Sequence, residues 1–303
     1  MRQLRHLTLD NVRFFNEPAL NTPPPEMPHL TTLIVQDCPF IPSHIIVNLI
    51  EKCNSLSTFS IAGCSIGEEE LVPIIRRNTE MQRIYIGAKE TASIAKTGSA
   101  VGDELAHAMA NTCKNVKTLE ITGAMPITDD GFTHLMQKIG PRLDQLHVGR
   151  AMQVQQSALA HIDLCQNLSQ LSLYKLPNVS DALLGRVLSE IGDKIVFLSL
   201  DSLPIGNAGI RHVTRRNLTE LHLIDLELWS DFSILLASGG LQQMSRLRVS
   251  ECTSVSLAGL AHTTSPLRMH YWSSITVEYL EISGCPAMTE VDLATCAQWM
   301  QRR

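Results

Sequence analysis

The chain has 303 residues, a formal net charge of −5 and 44% apolar residues. That charge leaves no basic footprint for nucleic acid. No apolar run reaches the roughly 18 residues of a membrane span, and the opening Met-Arg-Gln-Leu-Arg-His has no apolar signal region. The expectation is a chain in the cytoplasm, the nucleus or both, with neither membrane nor nucleic-acid partners.

In chain order, one pattern recurs: apolar-x-x-apolar-x-apolar. Its first anchors are Leu4, Leu30, Leu56, Met81, Val116, Leu143, Leu168, Ile195, Leu218, Met244 and Val277. The closing two-residue step suits a strand with one buried face. The copy at Leu168 is cleanest: Leu168, Leu171 and Leu173, then Leu176 and Val179, then Ser180-Asp181. A short side-chain oxygen there can accept from a free amide of a first helical turn. One copy thus encodes strand, turn and helix. A fixed period in this range marks a leucine-rich-repeat solenoid, whose units share one core because none can bury its own apolar face. The expected fold class is α/β, a ribonuclease-inhibitor-like horseshoe of about eleven strand–turn–helix units with its parallel sheet on the concave face. The expected domain plan is a single solenoid over residues 1–303, with neither a cap nor an F-box visible ahead of Leu4.

Helices are expected from Ser43, Thr128, Ser180 and Thr289, where apolar residues recur three or four apart. Pro73 is expected to shorten or bend the helix over Glu68 to Arg77. Three stretches break the period. Phe14 to Pro28 is proline-rich and suits polyproline geometry. The Gly87–Ser99 insertion is small and polar and reads as a loop. A third insertion carries His270-Tyr271-Trp272. Tyr271 and Trp272 are loop-contact candidates, or they cover the side of the solenoid, since aromatics usually bury.

The eight cysteines fall in two repeat-phased slots. Cys38, Cys64, Cys252 and Cys285 follow an anchor by eight residues. Cys53, Cys113 and Cys165 precede the next anchor by three, and Cys296 takes the matching place in the last unit. They read as packed free thiols. No metal-ligand spacing occurs, and no metal or cofactor is expected.

Segments such as "ITDDGFTHLMQKIGPRLDQLHV" and "LCQNLSQLSLYKLPNVSDALLGRVL" resemble the cysteine-containing class of leucine-rich repeats. That class is known from the substrate-recognition region of F-box proteins, the receptors of SCF ubiquitin ligases, and from mitotic-exit antagonist proteins. The resemblance implies a protein-interaction module, first as an SCF substrate receptor. It implies a Skp1-type adaptor partner only if an F-box lies upstream of Met1. The alternative is a stand-alone scaffold or inhibitor with no ubiquitin link.

The working surface is read from strand alternation. Positions two, four and six after each first anchor point away from the core. The partner-binding candidates there are Tyr85, His147, Tyr174, Phe197, His222, Arg246, Arg248, Tyr279 and Glu281. Tyr and Arg are enriched at protein interfaces. The same face carries Arg83, Glu120 and Glu220. In a parallel ladder Arg248 lies between His222 and Glu281, and Arg246 between Glu220 and Tyr279. These charges can pair with one another, which contributes about 0–1 kcal/mol per exposed pair. No GxSxG, Walker A, GxGxxG or HExxH run occurs, so no catalytic residue is assigned and the chain is not read as an enzyme.

Overall fold

The computed structural model describes residues 3–12, 26–87, 101–122, 126–213, 218–232, 234–235, 244–257 and 277–301. Residues 14–25 of the proline-rich segment, loop residues 88–99, and the His270-Tyr271-Trp272 candidates lie outside them.

Two compact units divide the chain, Met1–Gln166 and Asn167–Arg303. The first holds β1 (His6–Asp10), β2 (Thr32–Gln36), β3 (Thr58–Ala62), β4 (Arg83–Gly87), β5 (Thr118–Ile121) and β6 (Gln145–Gly149). They pair in parallel and in chain order, with equivalent repeat positions facing one another. The second unit holds β7 (Gln170–Tyr174), β8 (Phe197–Asp201), β9 (Glu220–Ile224), β10 (Arg246–Ser250) and β11 (Tyr279–Ser283), paired in the same way. The fold of each is the leucine-rich-repeat solenoid.

The anchors explain the pairing. Every anchor from β2 to β10 is buried, while those of β1 and the two later anchors of β11, Leu280 and Ile282, stay half-buried. Each of these end strands has one described sheet neighbour and so one fewer repeat to pack against. A fully buried leucine is worth about 1.5–3 kcal/mol relative to exposure. A parallel in-register stack collects this repeatedly. The residue after the first anchor adds a second tie through its backbone. Its carbonyl accepts from two successive amides of the next repeat: Thr31 O takes Ser57 N at 2.9 Å and Thr58 N at 3.0 Å, and Ser245 O takes Glu278 N at 2.8 Å and Tyr279 N at 3.0 Å.

Past each strand the chain turns sharply inward. Seven residues after the first anchor stands a left-handed residue wherever that position is described: Asn11, Asp37, Gly63, Arg150, Lys175, Ser202, Asp225, Glu251 and Gly284. Left-handed backbone is costly for most side chains. The turn extends the inter-strand ladder, as in Asp225 N to Ser250 O and Glu251 N to Ser283 O, each 2.9 Å.

Helices follow at α1 (Ser43–Glu51), α2 (Glu68–Arg77), α3 (Asp103–Thr112), α4 (Asp129–Ile139), α5 (Gln156–Leu159), α6 (Asp181–Ile191), α7 (Asn207–Val213) and α8 (Glu290–Gln301). Thr128 and Ser180 cap α4 and α6 by accepting from Asp130 N and Leu183 N. Thr289 Oγ1 accepts from Asp292 N at 3.2 Å at the start of α8. α2 spans the whole of Glu68–Arg77 with Pro73 inside it, so of the expected shortening or bending the shortening does not occur. Pro73 sits on the exposed face, so the carbonyl its missing N–H frees can meet water. Neighbouring helices also cap one another. Glu68 accepts from Leu105 N at 2.6 Å, Asp103 from Thr128 N at 2.8 Å, and Asp181 from Gly206 N at 2.8 Å. In repeat nine Trp229 and Phe232 fill the core, stacked at 5.8 Å.

Leu171 is fully buried in β7. Leu171→Ala is expected to destabilise the protein by about 2–5 kcal/mol in denaturant unfolding, the range for a buried leucine truncated into a cavity.

Candidate functional site

Helices cover one face of the sheet in each unit, and the opposite face alternates with the core, as the half-buried and buried residues of β2 and β7 do in turn. Nearly all-parallel sheets are normally covered on both faces. The uncovered strand face is therefore where functional side chains can stand in rows.

In the first unit the central slots read Thr8, Ile34, Ser60, Tyr85, Glu120 and His147, with Tyr85 facing Glu120 and Glu120 facing His147. All of the last three are half-buried. Burial raises the Glu120 carboxyl above the ordinary carboxylate range and lowers the His147 imidazole. Tyr85 is raised, first by burial, with Arg83 opposing and Glu120 adding.

The second unit concentrates more charge. The register places Arg248 between His222 and Glu281, and Arg246 between Glu220 and Tyr279. Together with Leu247 and Glu278 these residues line a shallow groove of about 450 Å³. Its interior is cross-linked. His222 Nε2 meets Glu220 Oε1 at 2.9 Å. The Phe197 ring packs edge-on against His222, centroids 5.2 Å apart. Arg248 Nε lies 3.4 Å from Glu281 Oε1, yet it is buried without an aligned hydrogen-bond acceptor. Tyr279, 54% exposed, donates its hydroxyl to Glu281 Oε2 at 3.3 Å. Among the described residues no ion pair holds the exposed Arg246.

Of the nine strand-face candidates, the structure brings His222, Arg246, Arg248, Tyr279 and Glu281 to one groove, with Phe197 at its flank. Tyr174 stands at the end of β7 beside Asp201, with Lys175 Nζ 5.0 Å from its ring centroid. Tyr85 and His147 belong to the first unit. Sequence reasoning left Glu278 out. It directly follows a first anchor, just before the alternating strand positions, and only its place on the groove wall identifies it.

The chemistry on offer is recognition. The groove presents carboxylates, two guanidiniums, an imidazole and a phenol. Ser199 faces His222 across β8–β9, but among the described residues no hydrogen bond joins them, and no nucleophile–base pair forms in the groove. Among the described residues no cluster of three or more His, Cys, Asp or Glu could hold a metal. No described helix is long and apolar enough to cross a membrane.

No family model matches the chain, and no curated protein matches it. Solved structures do. The Rad7–Elc1 complex of yeast superposes with a TM-score of 0.59 at 13% identity, over 89% of this chain and 73% of that one. An internalin, InlF, of Listeria monocytogenes gives 0.43 at 12% identity over 97% and 85%. The TLR13–ssRNA13 complex gives 0.45 at 14% identity over 85% and 32%. Identities this low convey the fold.

The central row of the first unit makes stability depend on pH in two opposed ways. Glu120, raised in the folded state, favours folding below the unfolded carboxyl value of about 4.3 and loses that as pH rises through its folded value. His147, lowered, favours folding above the unfolded value of about 6.5 and loses that as pH falls through its folded value. Glu120→Gln is expected to raise the thermal midpoint at neutral pH, with the gain fading on acidification. His147→Gln is expected to flatten the acid-side loss. Thermal melts of the three proteins from pH 4 to 8 check both.

Proposed function

We propose that this protein is a protein-binding module and that its partner docks on the strand face of β9–β11. The observation that carries the reading is the groove itself, where Arg246, Arg248 and Tyr279 are gathered on an uncovered sheet face without a catalytic pairing. Arg and Tyr dominate interface hot spots. The exposed Arg246 guanidinium is a donor that a partner's carboxylates or carbonyls can satisfy. The internal pairs Glu220–His222 and Arg248–Glu281 hold the side chains in place, which lowers the ordering cost of binding.

The resemblance to F-box repeat proteins extends this to the substrate-recognition part of an SCF-type ubiquitin ligase. A solved neighbour of this fold is a two-protein complex, Rad7 with Elc1, which supports a protein partner. A Skp1-type adaptor belongs to the reading only if the full reading frame carries an F-box ahead of the repeats. Without one, the stand-alone scaffold or inhibitor holds.

Arg248→Ala and Tyr279→Ala are each expected to weaken pull-down of the native partner, with losses of about 2 kcal/mol typical of the best interface anchors. Both should leave the thermal midpoint nearly unchanged. Lys138→Ala, exposed on α4, should change neither. Binding lost through Lys138 and kept through Arg248 would move the site to the helix side.

A further inference from the structure

The slot eight residues after an anchor holds cysteine in two pairs of adjacent repeats, Cys38 with Cys64 and Cys252 with Cys285. The two pairs share one backbone setting. Each slot follows the left-handed turn residue, and each sulfur lies against strand-end carbonyls. Cys64 Sγ meets Ala62 O at 3.4 Å and Val35 O at 3.6 Å, and Cys252 Sγ meets Ser250 O at 3.4 Å and Leu223 O at 3.6 Å. Exposure separates them. Cys38, Cys64 and Cys252 are fully buried, whereas Cys285 is half-buried. Cys285 also lines a shallow, open surface recess with Gly284, Pro286 and Leu293.

In the later pair the two slots stand side by side on adjacent strands. Cys252 Sγ lies against Ser250 O, and Cys285 Sγ lies 3.3 Å from Ser283 O, the equivalent carbonyl of the next strand. Ser250 and Ser283, two residues ahead of each, are register partners, and Glu251 N donates to Ser283 O at 2.9 Å. Neighbouring strands run about 4.8 Å apart. That spacing falls inside the range of roughly 4.4–6.8 Å between Cα atoms that a disulfide spans.

We propose that Cys252 and Cys285 form an oxidation-sensitive dithiol, in which Cys285 is the thiol that peroxide attacks and Cys252 the one that resolves it. The neighbouring Cys252 side chain lowers Cys285 below the ordinary thiol range, and the Cys285 side chain, with burial, raises Cys252 above it. Thiolate character and access both favour Cys285. Its thiolate attacks one oxygen of hydrogen peroxide, the O–O bond breaks, and a sulfenic acid and hydroxide result. The Cys252 sulfur then attacks the Cys285 sulfur. The S–S bond forms, the S–O bond breaks, and the departing oxygen leaves as water with the Cys252 proton. Two thiols and one peroxide give one disulfide and two waters, the peroxide taking both electrons. In the other pair burial pushes Cys64 up to about 11 and raises Cys38, so the equivalent geometry stays reduced.

The test is a peroxide time course on the full chain, with denaturing alkylation and peptide mass mapping at each point. The freshly reduced protein should yield eight thiols. Oxidation should remove two first, as a Cys252–Cys285 linkage that dithiothreitol reverses. Cys285 should react at least about tenfold faster than Cys38 or Cys64, as thiolate fraction and access dictate. In Cys252→Ser, dimedone should trap a persistent sulfenic acid at Cys285. Cys38 or Cys64 oxidising as fast as Cys285 would overturn the proposal. So would a Cys285 sulfenic acid that persists in the unsubstituted chain.

Discussion

A strand of five residues with its apolar side chains on one face cannot shield them alone, and everything else in this protein follows from that. The cheapest remedy is an identical neighbour in register. It buries both sets of anchors and gives a carbonyl after a first anchor, such as that of Thr31 or Ser245, two amide donors in the next repeat. The left-handed residue after each strand is part of the same solution. It costs backbone energy at Arg150 or Lys175, yet it carries the ladder one step further and turns the next apolar side chain into the core. The acidic first residues of α2, α3 and α6, which cap the following repeat, repeat the logic on the helix side. Stability is thus held between repeats more than within them.

Because the helices cover only one face, the other is free to vary. Early strands offer Thr8, Ile34 and Ser60 at the central slot, while β9 to β11 offer His222, Arg248 and Glu281. Exposed ion pairs contribute little to folding, about 0–1 kcal/mol. Folding therefore does not account for gathering so many charges on three adjacent strands. The parallel register, imposed by the buried anchors, fixes which charges become neighbours. Rigid placement of Arg248 by Glu281 and of His222 by Glu220 is a by-product of the core.

The cysteine slots show the same scaffold producing unlike chemistry. Burial raises Cys53 and Cys113 to about 11 and Cys165 and Cys296 to about 12, which leaves them inert packing groups. Cys285 differs by partial exposure, and the Cys252 side chain of the preceding repeat lowers it rather than raising it.

Much of this was legible in the residues. The spacing of Leu168, Leu171 and Leu173 and its ten counterparts determined the strands, their parallel order and the facing of Arg248 with His222 and Glu281, because burial of a periodic apolar row allows one register. The caps at Thr128 and Ser180 were visible for the same local reason. Other features were not. The left-handed positions hold Asn, Asp, Arg, Lys, Ser, Glu and Gly, so composition carries no common signal there. Pro73 reads as a helix breaker, but only the packed helix shows its freed carbonyl on the solvent side. The sequence placed Glu220, Arg246 and Tyr279 near one another, while the choice of Glu220 to hold His222, and of no described carboxylate to hold Arg246, depends on rotamers and on distances near 3 Å. Such distances are set by how repeats are offset and by what packs beneath each side chain, and a one-dimensional pattern carries neither.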